Sequence, residues 1–340
     1  MKKLSKLTAL ALAGVMALSL SACSGGQAGT SPSAAPSETP SAPPADKTYT
    51  VGISQLAPHP ALDAATQGFK DTLIAEFGED KVKFNEQNAA GDSNTAGTIA
   101  NSLVAAKVDL ILANATASLQ TAAAATSTIP ILGTSITEYG VALGIDGFTG
   151  TVGTNVSGTS DLAPLDQQAA MVKEWFPDAK SVGLFYCSAE PNSQYQVDTV
   201  KAELEKLGIT GTLYPFSDTN DLSAVLQTAC ANSDVIYIPT DNTAANNTGI
   251  IDNICQGAKK PVIAGEEGIA AGCGVATLSI SYYDLGVATG NMAIKILKGE
   301  SNISEMPVEY APQFTKKYNA DICAALGLTP PDGYEAITAE

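Results

Sequence analysis

The chain has 340 residues, 45% of them hydrophobic and 16% charged, with 18 Lys and no Arg set against 35 Asp and Glu, for a formal net charge of −17. So acidic a chain, with no cluster of Lys in its body, is a poor partner for nucleic acid or for any polyanion. The absence of Arg also removes the bidentate guanidinium clamp, so an anion has to be held by backbone N–H groups, hydroxyls or Lys.

Met1-Lys2-Lys3 and Lys6 form a basic start, Leu7 to Leu20 an apolar run broken by Thr8 and Ser19, and Ser21-Ala22 precede Cys23. This is the pattern of a secretory leader and is too short for a membrane span. Leu20-Ser21-Ala22-Cys23 resembles the bacterial lipobox. That resemblance implies a leader over 1–22, diacylation of Cys23, and a mature chain outside the cytoplasm held to the membrane by lipid. Loss of the three charges of Lys2, Lys3 and Lys6 takes the formal charge from −17 to −20. Beyond Cys23, residues up to 46 are Ser, Gly, Ala, Pro, Thr and Gln with two acidic residues and no aromatic. Such a segment has nothing to bury, so a disordered tether is expected over 23–46, stiffened by Pro32, Pro36, Pro40, Pro43 and Pro44.

From Lys47 onward about 290 residues remain, more than one core usually serves, so two lobes are expected. Short β-rich runs alternate with amphipathic stretches, the pattern of βα units around parallel sheets. A first series predicts strands at Tyr49–Gln55, Val82–Glu86, Leu110–Ala113, Ile129–Leu132 and Phe148–Val152, with helices near Pro60–Phe77, Asp92–Ala106, Ser118–Ala125 and Glu138–Gly144. A second predicts strands at Ser181–Tyr186, Thr210–Pro215, Val235–Pro239, Val262–Ala264 and Val275–Ile280. Its helices fall near Leu162–Trp175, Ser193–Leu207, Asp221–Ala231, Thr243–Gln256 and Tyr283–Lys298. The fold class is therefore α/β, in two similar lobes. The polar run Asn155 to Ser160 and the irregular Ser281-Tyr282-Tyr283 read as hinge strands. Ligands of open α/β sheets sit beyond the carboxyl ends of the strands. The loops Gln55 to Pro60, Asn114 to Thr116, Gly133 to Thr137, Cys187 to Ser193, Thr240 to Asn242 and Gly265 to Glu267 should then line any site.

Several segments carry a family resemblance. Val51-Gly52-Ile53-Ser54-Gln55, His59-Pro60-Ala61-Leu62-Asp63 and Gln67-Gly68-Phe69 open the body; Ile238-Pro239-Thr240-Asp241-Asn242-Thr243, Ala264-Gly265-Glu266-Glu267, Tyr282-Tyr283-Asp284-Leu285-Gly286 and Ile296-Leu297-Lys298-Gly299-Glu300 come later in the chain. In these, over roughly Lys47 to Val308, the chain resembles the ABC-transporter substrate-binding lipoproteins that include the tryptophan and tyrosine binders. It departs from their usual pattern at Glu138-Tyr139, where Asp-Pro is usual, and at Glu266, where Asp is usual. The resemblance implies a type I periplasmic-binding fold whose chain crosses three times between lobes that close on ligand. Lobe one maps to 47–156 plus 284–306 and lobe two to 157–283 plus 307–340. It implies a monomer, without cofactor, that captures an aromatic amino acid (tryptophan, tyrosine or phenylalanine) and presents it to an ABC permease. A sugar, nucleoside or other neutral molecule on the same scaffold, and a sensory role, stay open. Catalysis is not expected, since no G-x-S-x-G, phosphate loop or metal-like C-x-x-C spacing is present.

Asp241 follows a strand and precedes a helix, so it either caps that helix or pairs its carboxylate with a ligand ammonium. Asn192-Ser193 opens a helix whose free N–H groups and dipole suit a ligand carboxylate, with simple capping the alternative. His59, the single histidine, lacks partners for a metal site or triad. It reads as a pocket wall, with Pro60 at the first helical position, or as a surface loop. Thr116, Ser135 and Thr137 bring hydroxyls to ligand or cap helices; Tyr195, Tyr282 and Tyr283 stack on an aromatic ligand or pack between lobes. Gln55, Thr240, Asn242 and Glu266 complete the candidate set. Trp175 is expected in the core. Without Cys23 the cysteines Cys187, Cys230, Cys255, Cys273 and Cys323 are an odd set, of which Cys230 and Cys255 admit either a bridge or buried thiols.

Overall fold

Buried on both faces, with Tyr49, Val51 and Ile53 on one side and Gly52 and Ser54 on the other, Tyr49–Gln55 forms a strand (β1), as a parallel strand covered by helices on each side must be. The computed structural model describes residues 47–311 and 313–338. The expected leader, the lipidation site Cys23 and the tether lie outside those residues.

From β1 the chain runs through α1 (Pro60–Phe77), β2 (Val82–Asn88), α2 (Ser93–Ala105), β3 (Leu110–Asn114), α3 (Thr116–Ala125), β4 (Ile131–Ile136) and α4 (Tyr139–Leu143) to β5 (Val156–Ser160). Next come α5 (Leu165–Trp175), β6 (Ser181–Cys187), α6 (Pro191–Lys206), β7 (Thr210–Phe216), α7 (Thr219–Asn232) and β8 (Val235–Ile238). After them stand α8 (Asn242–Ala245), α9 (Thr248–Gly257), β9 (Val262–Ala264), α10 (Glu267–Cys273) and β10 (Ala276–Ser279). The last elements are α11 (Tyr282–Leu297), β11 (Glu309–Tyr310), β12 (Thr315–Tyr318), α12 (Ala320–Leu326) and β13 (Glu335–Ala336).

The strands form two sheets, in the orders β11-β5-β4-β3-β1-β2 and β13-β12-β10-β9-β8-β6-β7. Every pairing in the first is parallel. In the second, β12 runs antiparallel to β10. This is the expected two-lobed α/β architecture, and the chain passes between lobes three times: after β5, between β10 and α11, and between β11 and β12.

Sheet pairing holds the chain in lobe one longer than the boundaries read from sequence. β5 pairs with β4 as far as Ser160, and β11 returns to pair with β5. Asn155 to Ser160, read as a hinge, is thus mostly strand, and the crossing begins at Asp161. The strand expected at Phe148–Val152 is a loop. Gly147, Gly150 and Gly153 there have φ of 66°, 103° and 79°, which breaks an extended run, while Phe148 and Val152 pack on the core around Tyr139. The single helix expected over Thr243–Gln256 is two, α8 and α9, because Asn247 leaves helical geometry at φ −124° and turns its amide back to the Thr243 carbonyl at 2.7 Å. Elements α10, β12, α12 and β13 are short and were not legible. Trp175 lies in the core as expected, its ring 5.2 Å from Tyr334 in an edge contact.

Helices α1 and α11 meet at a crossing that admits no side chain. A Cβ on Gly286 would sit 2.0 Å from the Ala65 carbonyl oxygen, and one on Gly68 2.1 Å from that of Tyr283. This contact seats the start of α11, and with it the second crossing, against lobe one. Gly286→Ala is expected to cost about 1–3 kcal/mol by overpacking, read as a lower urea midpoint. An unchanged midpoint would show that the two helices part freely.

Candidate functional site

Where the chain leaves β5, Asp161 is 4% exposed, yet it is a carboxylate. Its Oδ2 accepts a hydrogen bond from the Tyr282 hydroxyl at 2.9 Å, and the Thr137 side chain bonds it as well. Its Oδ1 has no partner. Burial pushes the Asp161 pKa up to about 6 against the lowering pull of those two bonds and of its own backbone N–H. Glu266 caps α10, accepting from the Gly268 N–H at 2.6 Å and from that of Ile269. Burial pushes Glu266 up to about 7, and the charges of Asp161 and Glu267 add to it. Two buried acids near one another, in a chain without Arg, make a place for a cation.

Around this pair the lobe-one loops are strained. Ser135 has φ 56° at an irregularity of β4, and its buried Oγ has no partner. Ala115, at φ 84°, leads into α3, whose N-terminus has no side-chain cap; the Ala115 N–H donates to the carbonyl of Thr134, next to Ser135, at 3.1 Å. A non-glycine residue in left-handed backbone costs about 1–3 kcal/mol and persists where its surroundings hold it. The uncapped start of a ten-residue helix, Thr116 at its first position, with a free hydroxyl beside it, is suited to a carboxylate.

His59 is buried, not a surface residue. Its Nε2 meets the Asn242 Oδ1 at 3.2 Å, a contact from lobe one to lobe two. Burial lowers its pKa, so the ring is neutral, Nε2–H donates, and Nδ1 is left as an acceptor without a partner. Pro60 begins α1 as read. A cavity of about 640 Å³ opens beside the crossings, lined by Pro60, Glu266, Ser279, Tyr282, Tyr283 and Tyr310 among others.

Other candidates are engaged within the protein. Gln55 donates to Asp63 at 2.6 Å and to the Ala57 carbonyl at 2.9 Å, and accepts from Thr66. Asp241 accepts at Oδ1 from the Ala244 N–H at 2.8 Å and at Oδ2 from that of Cys187 at 2.7 Å, with the Ser193 side chain bonded too; burial, then the charge of Glu190, pushes it up to about 8. It therefore caps α8 and ties it to the end of β6. Glu190 accepts from the N–H groups of Asn242 and Thr243 at 3.0 and 2.8 Å. With the Glu190 carboxylate already there, a ligand carboxylate at Asn192-Ser193 meets like charge. Asn192 donates to the Thr240 carbonyl at 3.0 Å and keeps an unpartnered Oδ1; the Thr240 side chain bonds Tyr282. Tyr195 is half-buried near Glu138 and Tyr310. Tyr139, where the family's proline is usual, is buried and donates to the Thr159 carbonyl at 3.1 Å, in space that Gly133 and Gly158 leave open. Sequence reading missed Asp161, although an acid directly after the presumed hinge was a signal. Among the described residues no group of three or more His, Cys, Asp or Glu could hold a metal.

The profile of a family described as ABC transporter substrate binding protein matches residues 50–338. A tyrosine-binding protein of Clostridioides difficile (strain R20291) is 34% identical over 331 residues, 96% of this chain and 94% of that one. The solved ABC domain from Streptococcus pneumonia in complex with L-Trp is 32% identical with a TM-score of 0.81, covering 86% of this chain and 100% of its own. The ligand-free, open structure of a substrate binding protein with adhesive properties from Clostridium difficile is 36% identical with a TM-score of 0.66, at coverages of 86% and 100%. The lower score against the open relative, despite its higher identity, sets the lobes here nearer the tryptophan-bound arrangement. The bond from His59 to Asn242 across the cleft agrees with that.

The folded pKa of Asp161, about 6, lies above its ordinary 3.8, so the folded chain keeps this proton longer than the unfolded one. Its contribution to stability is present below the ordinary value and is lost as pH rises toward 6. Asp161→Asn does not titrate. The ligand-free variant should gain on the parent by on the order of 3 kcal/mol between pH 4 and pH 7, measured by urea titration at each pH. A difference that does not vary with pH would mean that the carboxyl is solvated.

Proposed function

Because the chain belongs to the family of ABC transporter substrate binding proteins, which work outside the cytoplasm with a permease, we propose that it captures an aromatic amino acid between its lobes. Tryptophan, tyrosine and phenylalanine are the candidates, following the relatives bound to L-Trp or named for tyrosine. The observation that carries this reading is the unpartnered Oδ1 of Asp161, buried where the crossings converge. A ligand ammonium satisfies that oxygen with a charge-assisted bond and relieves the repulsion between Asp161 and Glu266. The start of α3, with Thr116 and Ser135, takes the ligand carboxylate, so both charges of a zwitterion are met without any arginine. A neutral sugar leaves Asp161 unpaired in a closed cleft, which costs several kcal/mol if the group stays ionised.

The bare Nδ1 of His59 and Oδ1 of Asn192 supply acceptors from opposite lobes, so closure adds contacts that the open form lacks. In this reading no bond is made or broken in the cleft. The protein is a carrier, held to the membrane by lipid on Cys23.

Protein unfolded and refolded to strip bound ligand, then titrated calorimetrically, should bind at least one of L-tryptophan, L-tyrosine and L-phenylalanine and no neutral sugar. Sugar uptake in place of amino acid overturns the reading. Asp161→Asn is expected to weaken the amino acid by roughly 100-fold, whereas unchanged affinity moves the ammonium elsewhere. Cys23→Ser should leave binding intact and free the protein from membranes; retention in the membrane fraction after a carbonate wash refutes the lipid anchor.

A further inference from the structure

Cys230 and Cys255 lie near the C-terminal ends of α7 and α9, helices that pack on one another, and their Sγ atoms are 3.8 Å apart. Both are free thiols and 2% exposed. The other cysteines turn to backbone carbonyls instead: Cys187 to Ser217 at 3.5 Å, Cys273 to Ile269 at 3.2 Å and Cys323 to Val275 at 3.7 Å. A groove of about 620 Å³ opens beside Cys230, lined by Gln227, Asn253, Ile254, Gly257 and Lys260 among others.

We propose that Cys230 and Cys255 are an oxidation site, closing to a disulfide outside the cytoplasm that staples α7 to α9 around β8 and the loop bearing Thr240, Asp241 and Asn242. The sulfurs have to approach to about 2.05 Å, and both sit in last helical turns, which fray and adjust. The oxidant is a disulfide of an exported thiol oxidoreductase or a small-molecule disulfide. Cys230 attacks first, because it borders the groove. The bond from Cys255 lowers its pKa, against its own burial, and the charge of Lys260 favours the thiolate as well. Its thiolate bonds to one sulfur of the oxidant and expels the other as a thiolate, which is protonated. Cys255, whose thiol that same contact and burial push up, then gives its proton to solvent and attacks the Cys230 sulfur, releasing the second oxidant sulfur as a thiol. Two protein thiols are oxidised and one disulfide is reduced to two thiols.

The staple matters for the cleft because it encloses Asn242, the lobe-two partner of His59. It limits how far the segment between the helices can open in the unfolded or partly unfolded chain. This holds whatever ligand the cleft takes.

The test uses the soluble Cys23→Ser chain, purified reduced and then incubated with oxidised glutathione. Thiols counted after denaturation should fall from the five free cysteines to three, and peptide mapping should join Cys230 to Cys255. The oxidised protein should melt about 5–10 °C above the reduced, a gap that Cys255→Ala abolishes. Five thiols after oxidation, a stable glutathione adduct at Cys230, or a link between any other pair overturns the site. A Cys230–Cys255 link with no rise in melting temperature overturns the staple.

Discussion

The hydrogen bond from Tyr282 to Asp161 is the joint on which the two lobes depend. Asp161 stands where the chain first leaves lobe one, and Tyr282 where it comes back. The start of α11 cannot drift, because Gly286 and Gly68 bring it against α1 with no room for a methyl group. Asp161 is thereby presented deep in the protein with one oxygen satisfied and the other not. Such a group is costly as an ion, which is why burial holds its proton to about pH 6. A ligand that supplies the missing positive charge converts that cost into affinity.

The cleft has the character of a site left unfinished by its own protein. Buried polar atoms in folded chains nearly always find partners. Here Asp161 Oδ1, Ser135 Oγ, His59 Nδ1 and Asn192 Oδ1 do not, and they come from the loops at the strand ends of both lobes. The Ser135 loop and the neighbouring one at Ala115 also carry residues in left-handed backbone, and the Ala115 N–H donates to the carbonyl of Thr134, next to Ser135. Strain and unspent hydrogen bonding in the same place have a common explanation when the backbone is held for something outside the chain. The contact from His59 to Asn242 joins the two lobes directly across the cleft.

The acids divide according to whether a helix starts beside them. Asp241, Glu266, Glu138 and Glu190 each stand at or next to the start of a helix, where unbonded N–H groups claim their oxygens. Asp161 is separated from α5 by Leu162-Ala163-Pro164, and Pro164 occupies the cap position. No helix end competes for its second oxygen. The same local rule that makes an acid after a strand look like a ligand residue thus makes most such acids structural.

Periodicity and punctuation are local, so the sequence alone determined the two series of βα units, the bounds of Tyr49–Gln55 and Pro60–Phe77, the proline opening α1, and the loops at the strand ends. The same locality explains the failures. Phe148–Val152 has the composition of a strand but no strand partner, and three glycines turn it into loop. Val156–Ser160 reads as a polar linker, yet pairing with β4 and β11 on either side makes it part of a sheet. Which carboxylate is free was likewise decided by the tertiary structure, because a carboxylate's two oxygens are claimed by groups far away in sequence: Cys187 for Asp241, Tyr282 for Asp161. A side chain's type can be read from the sequence, but how many of its hydrogen bonds are already spent depends on the neighbours that folding brings to it.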